Sequence, residues 1–259
     1  WNYNGYGSVG GFVDPCEIYN PTTKTFSNTG SLNVKRYNQS ATLLHNGKVL
    51  ISGGSTKYNV FTSSSELYNP TTGSFTNTGS MHTMRFNQNT ILLNTGKVLT
   101  IGGLANASNS GPVFKYLSSC ELYDTASGTW SYTDSLPYQV WYATATLLNN
   151  GKILLAGGQN SNGTLKNCQI YDPSTGKWSA TGSLNHARCF FTATLLPNGK
   201  VLIAGGEDGY SVATCEIYDP TTETWSNTGA LNTASQGHSS YLLSNGDVIL
   251  TGGINWNGQ

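Results

Sequence analysis

The chain has 259 residues, only 10% of them charged, and its 13 Lys+Arg balance 13 Asp+Glu to a formal net charge of zero. That balance gives no general electrostatic pull toward nucleic acid or an anionic membrane, and no apolar run is long enough for a transmembrane helix. The polar positions are mostly Asn, Ser, Thr and Gly, with 15 Tyr and 6 Trp. Such a surface favours a secreted or cell-surface protein, with a cytoplasmic location as the alternative.

Taken in order, residues 1–12 read as a Gly/Asn/Tyr-rich loop, and the chain starts WNYNGYG without an initiator Met, as a processed or excised segment would. Residues 13–21 (VDPCEIYNP) predict a strand, and 22–30 a turn followed by a short strand carrying Phe26. Ala41–Gly54 (ATLLHNGKVLISGG) then predicts a hairpin: an apolar run, Asn46-Gly47 as a type I′ turn, a second apolar run and a closing glycine pair. One hairpin is marginal in water. This one recurs as Thr90–Gly103, Ala145–Gly158, Ala193–Gly206 and Ser240–Gly253, at intervals of 49, 55, 48 and 47 residues. A period near 50 marks a repeat architecture. After each glycine pair come a polar loop, a strand such as SELYNP or CEIYDP, and a last short strand, so each unit holds four strands, here a to d.

A second clock runs with the first. Tyr recurs at 19, 68, 123, 171 and 218, and a large aromatic follows seven residues later at 26, 75, 130, 178 and 225. These pairs are read as packing between sheets. A hydrophobic run ending in Gly-Gly, followed by a spaced Tyr and Trp, resembles the kelch repeat, and the resemblance covers essentially the whole chain. The YDPSTGKW run at 171–178 also resembles a sialidase Asp-box, but lacks the SxDxGxTW form. The kelch resemblance implies an all-β propeller of four-stranded antiparallel blades. The expected arrangement is one domain, 1–259, with units at about 36–84, 85–134, 140–182, 188–229, and 235–259 plus 1–30. That makes five blades, the last closed by both termini, which would hide two sheet edges. A part of a larger ring is the alternative.

Function is expected on the loops, which vary on a rigid scaffold. The b–c loops differ most, and residues 104–118 form the longest continuous one. The segments entering strand a lie on the same face. They read RYNQ (36–39), RFNQ (85–88), VWYA (140–143), RCFF (188–191) and SQGH (235–238). Arg36, Arg85 and Arg188 are equivalent, with Tyr37, Phe86, Trp141, Tyr142 and Phe190 beside them. Arginines at similar places in some kelch proteins that bind acidic peptides imply an anionic ligand, and aromatic faces would add stacking area. The competing reading has each arginine pairing with a backbone carbonyl or an acidic neighbour between blades. Val140 and Ser235 break the pattern. Glu17, Glu66, Glu121 and Glu216 repeat on strand c, with Gln169 in the remaining copy, which suits a structural hydrogen bond better than a catalyst.

Cys16, Cys120, Cys168 and Cys215 share one strand-c position, where Ser65 stands in the other copy, and are expected as free, buried thiols. Cys189 is the odd one, and a bridge from it to a strand-c cysteine stays open. Sequons occur at Asn38, Asn106 and Asn162, the last two in predicted loops and the better glycosylation candidates. The histidines show no metal-ligand spacing, and no nucleophile elbow, phosphate loop or zinc motif appears. The expected function is a non-catalytic binding or assembly module, without cofactor or metal, holding a protein segment or a glycan of acidic character. Two alternatives stay open: a propeller enzyme of carbohydrate-active or copper-oxidase type using His238 and nearby tyrosines, and a self-associating structural surface protein.

Overall fold

The computed structural model describes residues 15–57, 60–106 and 114–257. The predicted loop 1–12, the first two residues of the predicted strand 13–21 and the middle of the 104–118 loop lie outside these. Every described element is a strand. A two-stranded sheet comes first, β1 (Pro15–Asn20) with β2 (Thr25–Ser31). The first blade has β3 (Ser40–Leu43) and β4 (Val49–Ser52), then a small loop hairpin, β5 (Ser55–Lys57) and β6 (Val60–Phe61), then β7 (Ser65–Asn69) and β8 (Ser74–Thr78). The second has β9 (Asn89–Leu92), β10 (Val98–Ile101), the loop hairpin β11 (Leu104–Asn106) and β12 (Phe114–Tyr116), then β13 (Cys120–Asp124) and β14 (Thr129–Tyr132). The third has β15 (Thr144–Leu147), β16 (Ile153–Ala156), the loop hairpin β17 (Gln159–Asn160) and β18 (Gly163–Thr164), then β19 (Cys168–Asp172) and β20 (Lys177–Ala180). The fourth has β21 (Thr192–Leu195), β22 (Val201–Ala204), β23 (Cys215–Asp219) and β24 (Thr224–Thr228). A second two-stranded sheet closes the series, β25 (Ser239–Leu242) with β26 (Val248–Thr251).

The a–b hairpin is the predicted one with a different turn. In the first copy the Gly47 amide donates to Leu44 O at 2.9 Å and the Leu44 amide to Lys48 O at 2.8 Å, and only Gly47 takes a positive φ, of 80°. A type I′ turn needs two left-handed residues. Pairing runs in as far as Leu44 and Lys48, so three residues rather than two bridge the strands and Asn46 keeps a negative φ. Its Oδ1 instead accepts the Lys48 amide at 3.1 Å.

Each blade is thin, and the apolar cores lie between blades. Leu99, Ile101 and Cys120 of the second blade pack with Val140, Ile153, Leu155 and Tyr171 of the third, and similar clusters join first to second and third to fourth. This explains why strand b reads as a continuous apolar run: β10 and β16, covered on both faces, are buried at every position. The first strands of successive blades, β3, β9, β15, β21 and β25, touch one another in turn around the axis. The seven-residue aromatic clock places each Tyr opposite its Trp or Phe across the c–d hairpin, with ring centroids 4.8–5.2 Å apart. Contact with the neighbouring sheet comes from the Tyr hydroxyl, which meets a threonine at the end of the preceding blade's last strand or just past it: Thr78 for Tyr123 at 2.7 Å, Thr133 for Tyr171 at 2.8 Å, Thr181 for Tyr218 at 2.6 Å.

The expected fifth blade is not formed. β25–β26 does not pair with β1–β2, and each stands as a separate two-stranded sheet. In the four inner copies the first glycine of the pair backs onto a carbonyl of the next blade, so that an added Cβ would lie 2.5–2.7 Å from it, whereas nothing approaches Gly252 within 4 Å. Tyr19 is 49% exposed on its end sheet, whereas its counterparts Tyr123, Tyr171 and Tyr218 in the complete blades are fully buried, and Phe26 and Tyr241 are also exposed.

All five cysteines are free, four of them buried and Cys16 half-buried. Cys189 Sγ lies 3.5 Å from Gln159 Oε1 rather than bridging a strand-c thiol. Burial pushes Cys120 up to about 11, and Cys168 and Cys189 up to about 12. Thiol chemistry runs through the thiolate. Titration of the folded protein with an excess of a chromogenic disulfide at pH 8 is therefore expected to show one thiol, the half-buried Cys16, reacting first, and the buried ones only on unfolding.

Candidate functional site: the aromatic mouth of the channel

The segment entering each strand a is tied to the residue just after the glycine pair that ends strand b of the same unit by an isolated bridge: Tyr37 with Ser55, Phe86 with Leu104, Trp141 with Gln159, Cys189 with Glu207, Gln236 with Ile254. The strand-a entries and the b–c loops thus share one end of the channel, as the sequence predicted. What the entries present there differs from the prediction. Arg36, Arg85 and Arg188 do not face the opening, and their side chains are 0% exposed. Arg85 donates to Gly102 O at 3.0 Å, Ser119 O at 2.8 Å and Glu121 Oε1 at 2.7 Å. Arg36 and Arg188 repeat this with Gly53, Ser64 and Glu66, and with Gly205, Thr214 and Glu216. Each glutamate also accepts two amides from the loop leading into strand a, those of His82 and Thr83 for Glu121. The pair sews strands a, b and c of one blade together, so the three arginines hold the scaffold and give an anionic ligand nothing to meet.

One copy lacks the pair, and both members change together. Val140 stands for the arginine and Gln169 for the glutamate, both buried. A glutamate without its arginine there would be a buried unpaired charge, which costs several kcal/mol.

The aromatics do come together. Tyr37 meets Phe86 edge-on at 5.9 Å between ring centroids, and Phe86 stacks on Phe61 at 4.8 Å, which stacks in turn on Phe114 at 5.7 Å. Trp141 stacks on Tyr142 at 3.7 Å, Tyr142 contacts Phe190 at 3.8 Å, and Tyr116 approaches Trp141 at 6.2 Å. The Asn87 side-chain amide donates to the Tyr142 hydroxyl at 3.4 Å and links the two groups. Phe61, Phe114 and Tyr116 were missed in the sequence. They sit in the loop hairpins, whose length drew attention there while their aromatic content did not.

The backbone beneath this surface is unusual. The third residue of each entry has a positive φ: Asn38 51°, Asn87 50°, Tyr142 52°, Phe190 54°, Gly237 64°. Asn and Gly tolerate that region, but an aromatic residue held there costs on the order of 1–3 kcal/mol. The two strained positions are the two rings that contact each other, Tyr142 and Phe190, with centroids 3.8 Å apart.

Other chemistry is sparse. His238 is buried, its Nε2 lies 3.1 Å from Thr192 Oγ1, and burial lowers its pKa. Among the described residues no three His, Cys, Asp or Glu side chains cluster as a metal site would need, and no described helix is long and apolar enough to cross a membrane.

The profile of the KLHDC2/KLHL20/DRC7 Kelch-repeats domain matches residues 40–253. No individual curated protein matches the chain. The match spans all four complete blades and the β25–β26 hairpin, with their glycine pairs, and together with the all-β repeat of four-stranded antiparallel sheets it shows that this chain belongs to the kelch-repeat family of β-propellers.

Proposed function

We propose that the chain is a non-catalytic module that grips a protein segment in its aromatic mouth. Kelch-repeat domains generally bind protein partners. The observation that carries the reading here is the pair of aromatic clusters from Tyr37 to Phe190, joined through Asn87, with two of their rings held in a left-handed backbone conformation. Aromatic side chains give large contact area for little rotamer entropy, and they dominate binding energy at protein interfaces. With the arginines withdrawn into the blades, the ligand is read as an apolar or proline-bearing segment rather than an acidic one. For location we propose the cell exterior, where exposed Asn162, between β17 and β18, is the sequon asparagine a glycan would reach most readily.

The test is a peptide array and a glycan array probed in parallel with the wild-type domain and with Trp141→Ala and Phe190→Asn. Phe190→Asn copies the residue of two sister blades and relieves the backbone, so its melting temperature should be unchanged or higher. Binding to a defined peptide should fall at least 10-fold in both variants, about 1.4 kcal/mol or more. Peptide binding that both variants retain would sink the assignment of the mouth, and glycan binding alone would replace the protein segment with a sugar.

A further inference from the structure

We propose that Asn162-Gly163, at the tip of the β17–β18 hairpin, is a self-modifying site that converts to isoaspartate in the folded protein while four sister Asn-Gly pairs are held from doing so. Those four, Asn46-Gly47, Asn150-Gly151, Asn198-Gly199 and Asn245-Gly246, are the a–b turns. Exposure does not separate the five, since every one of these asparagines is exposed. Hydrogen bonding does. In each a–b turn the asparagine Oδ1 accepts the amide two residues on, at 3.0–3.1 Å. The glycine amide donates to the leucine carbonyl three residues back, at 2.9–3.0 Å. Each of these turns closes a hairpin of four residues per strand, and three of the four hairpins lie inside complete blades. Asn162 differs on both counts. Its main-chain amide donates to Asn160 Oδ1 at 2.8 Å, but its carboxamide makes no hydrogen bond among the described residues. Gly163 pairs only with Asn160 across a ladder of two residues per strand, and nothing lies within 4 Å of a Cβ added there. So short a ladder opens locally at far lower cost than a blade does.

The chemistry needs only these two residues and water. The deprotonated main-chain nitrogen of Gly163 attacks Asn162 Cγ. A bond forms between them, the Cγ–Nδ2 bond breaks, and Nδ2 leaves as ammonia, closing a five-membered imide. Water then opens the ring. Attack at Cγ gives aspartate, and attack at the main-chain carbonyl gives isoaspartate, with the backbone rerouted through Cβ. One water is consumed, one ammonia is released, and nothing is oxidised or reduced. Glycine suits the step because no Cβ shields its nitrogen. A side chain latched to the amide two residues on cannot bring Cγ over that nitrogen until the latch breaks. The product adds a carboxylate to a hairpin that is tied on two sides. At its base Gln159 exchanges backbone hydrogen bonds with Trp141 at 2.7 and 2.9 Å, and beyond the turn the Thr164 hydroxyl donates to Asp208 Oδ1 of the next blade. The new charge and the added backbone atom therefore strain a hairpin joined to the aromatic mouth. A glycan on Asn162 occupies the same Nδ2 that must leave, so the two modifications exclude each other.

The test is peptide mapping of the full chain, made in a host that does not glycosylate, after incubation at pH 8 and 37 °C. Isoaspartate is located by the mass gain of an NH2-to-OH exchange and by enzymatic methyl labelling. A second sample is incubated unfolded in urea. In the folded protein the Asn162 peptide is expected to convert at least about 10-fold faster than any of the four a–b turn peptides, and in urea, where local structure is lost, the five rates should fall within about 3-fold of one another. Equal conversion of all five in the folded protein overturns the proposal. So does an Asn162 peptide that stays intact in the folded protein while it converts in urea. The same preference for Asn162 in both samples also overturns it, because the choice would then lie in the flanking sequence and not in the fold.

Discussion

Arg85→Ala is expected to destabilise the protein by about 3–5 kcal/mol, read as a shift of the denaturant midpoint at constant m. The guanidinium fills four hydrogen bonds inside the second blade, and its removal leaves the Glu121 carboxylate buried without its cation. The molecule supplies its own control. Arg85→Val/Glu121→Gln copies the Val140/Gln169 arrangement of the third blade, and the double variant should recover all but about 1 kcal/mol of the loss, a coupling well above what independent sites show. A double variant as unstable as Arg85→Ala would mean that the arginine acts through its backbone contacts and not through the acid. The pair also predicts a pH dependence. Burial alone would push the Glu121 carboxyl up, but the Arg85 side chain and the His82 amide more than offset this and hold it below the ordinary value. A carboxyl whose folded pKa is depressed contributes stability above its unfolded pKa of about 4.3, and that contribution is lost as the pH falls through the folded value. Acid titration of stability should therefore be shallower at low pH in the Arg85→Val/Glu121→Gln variant than in the wild type.

Gly158→Ala is expected to cost about 3 kcal/mol or more, from strain and overpacking together. Gly158 has φ 96°, and an added Cβ would lie 2.7 Å from Trp141 O and 2.8 Å from Ala143 N, both backbone atoms of its own blade. Its amide also donates to Arg188 O of the next blade at 2.8 Å. The bridge between Trp141 and Gln159 sits directly on this contact, so the substitution should disturb the aromatic mouth as well as the fold. Gly163→Ala serves as the comparison: its φ is also positive, but nothing lies within 4 Å of an added Cβ, so only backbone strain remains. Thermal melts that place the two variants together would show that φ, and not close approach, sets the cost at Gly158. Tryptophan fluorescence of Gly158→Ala should shift while that of Gly163→Ala should not.

The blade was legible in the sequence because each of its requirements is local. Strands b and c declare themselves by an apolar run and a closing glycine pair, and the Tyr and Trp seven residues apart fall opposite each other because a c–d hairpin of that length can register in only one way. The turn was the local exception. Asn46-Gly47 fits two kinds of turn, and the choice between them rests on how far strand pairing extends, which Leu44 and Lys48 settle by hydrogen bonding.

The role of the arginines was not legible in the same way. A charged residue repeated at a channel entrance suits a ligand site and a buried strut equally until its surroundings are known. The carbonyls of Gly102 and Ser119 that fill Arg85 are 17 and 34 residues away in sequence. The paired change to Val140 and Gln169 was visible, yet it gains meaning only once the two positions are seen to touch. The aromatic mouth stood between these cases. Tyr37, Phe86, Trp141, Tyr142 and Phe190 were found by repeat position, while Phe61, Phe114 and Tyr116 were reached through loop hairpins that follow no period.

Sequence by itself therefore determined the repeat, the four-stranded blade and the residues that seal one blade against the next, since all of these follow from short-range pattern and volume. The tertiary structure alone decided which polar groups are hidden and whether the ends meet. Burial of a charge and closure of a ring both depend on neighbours tens to hundreds of residues distant, and no local pattern carries that distance.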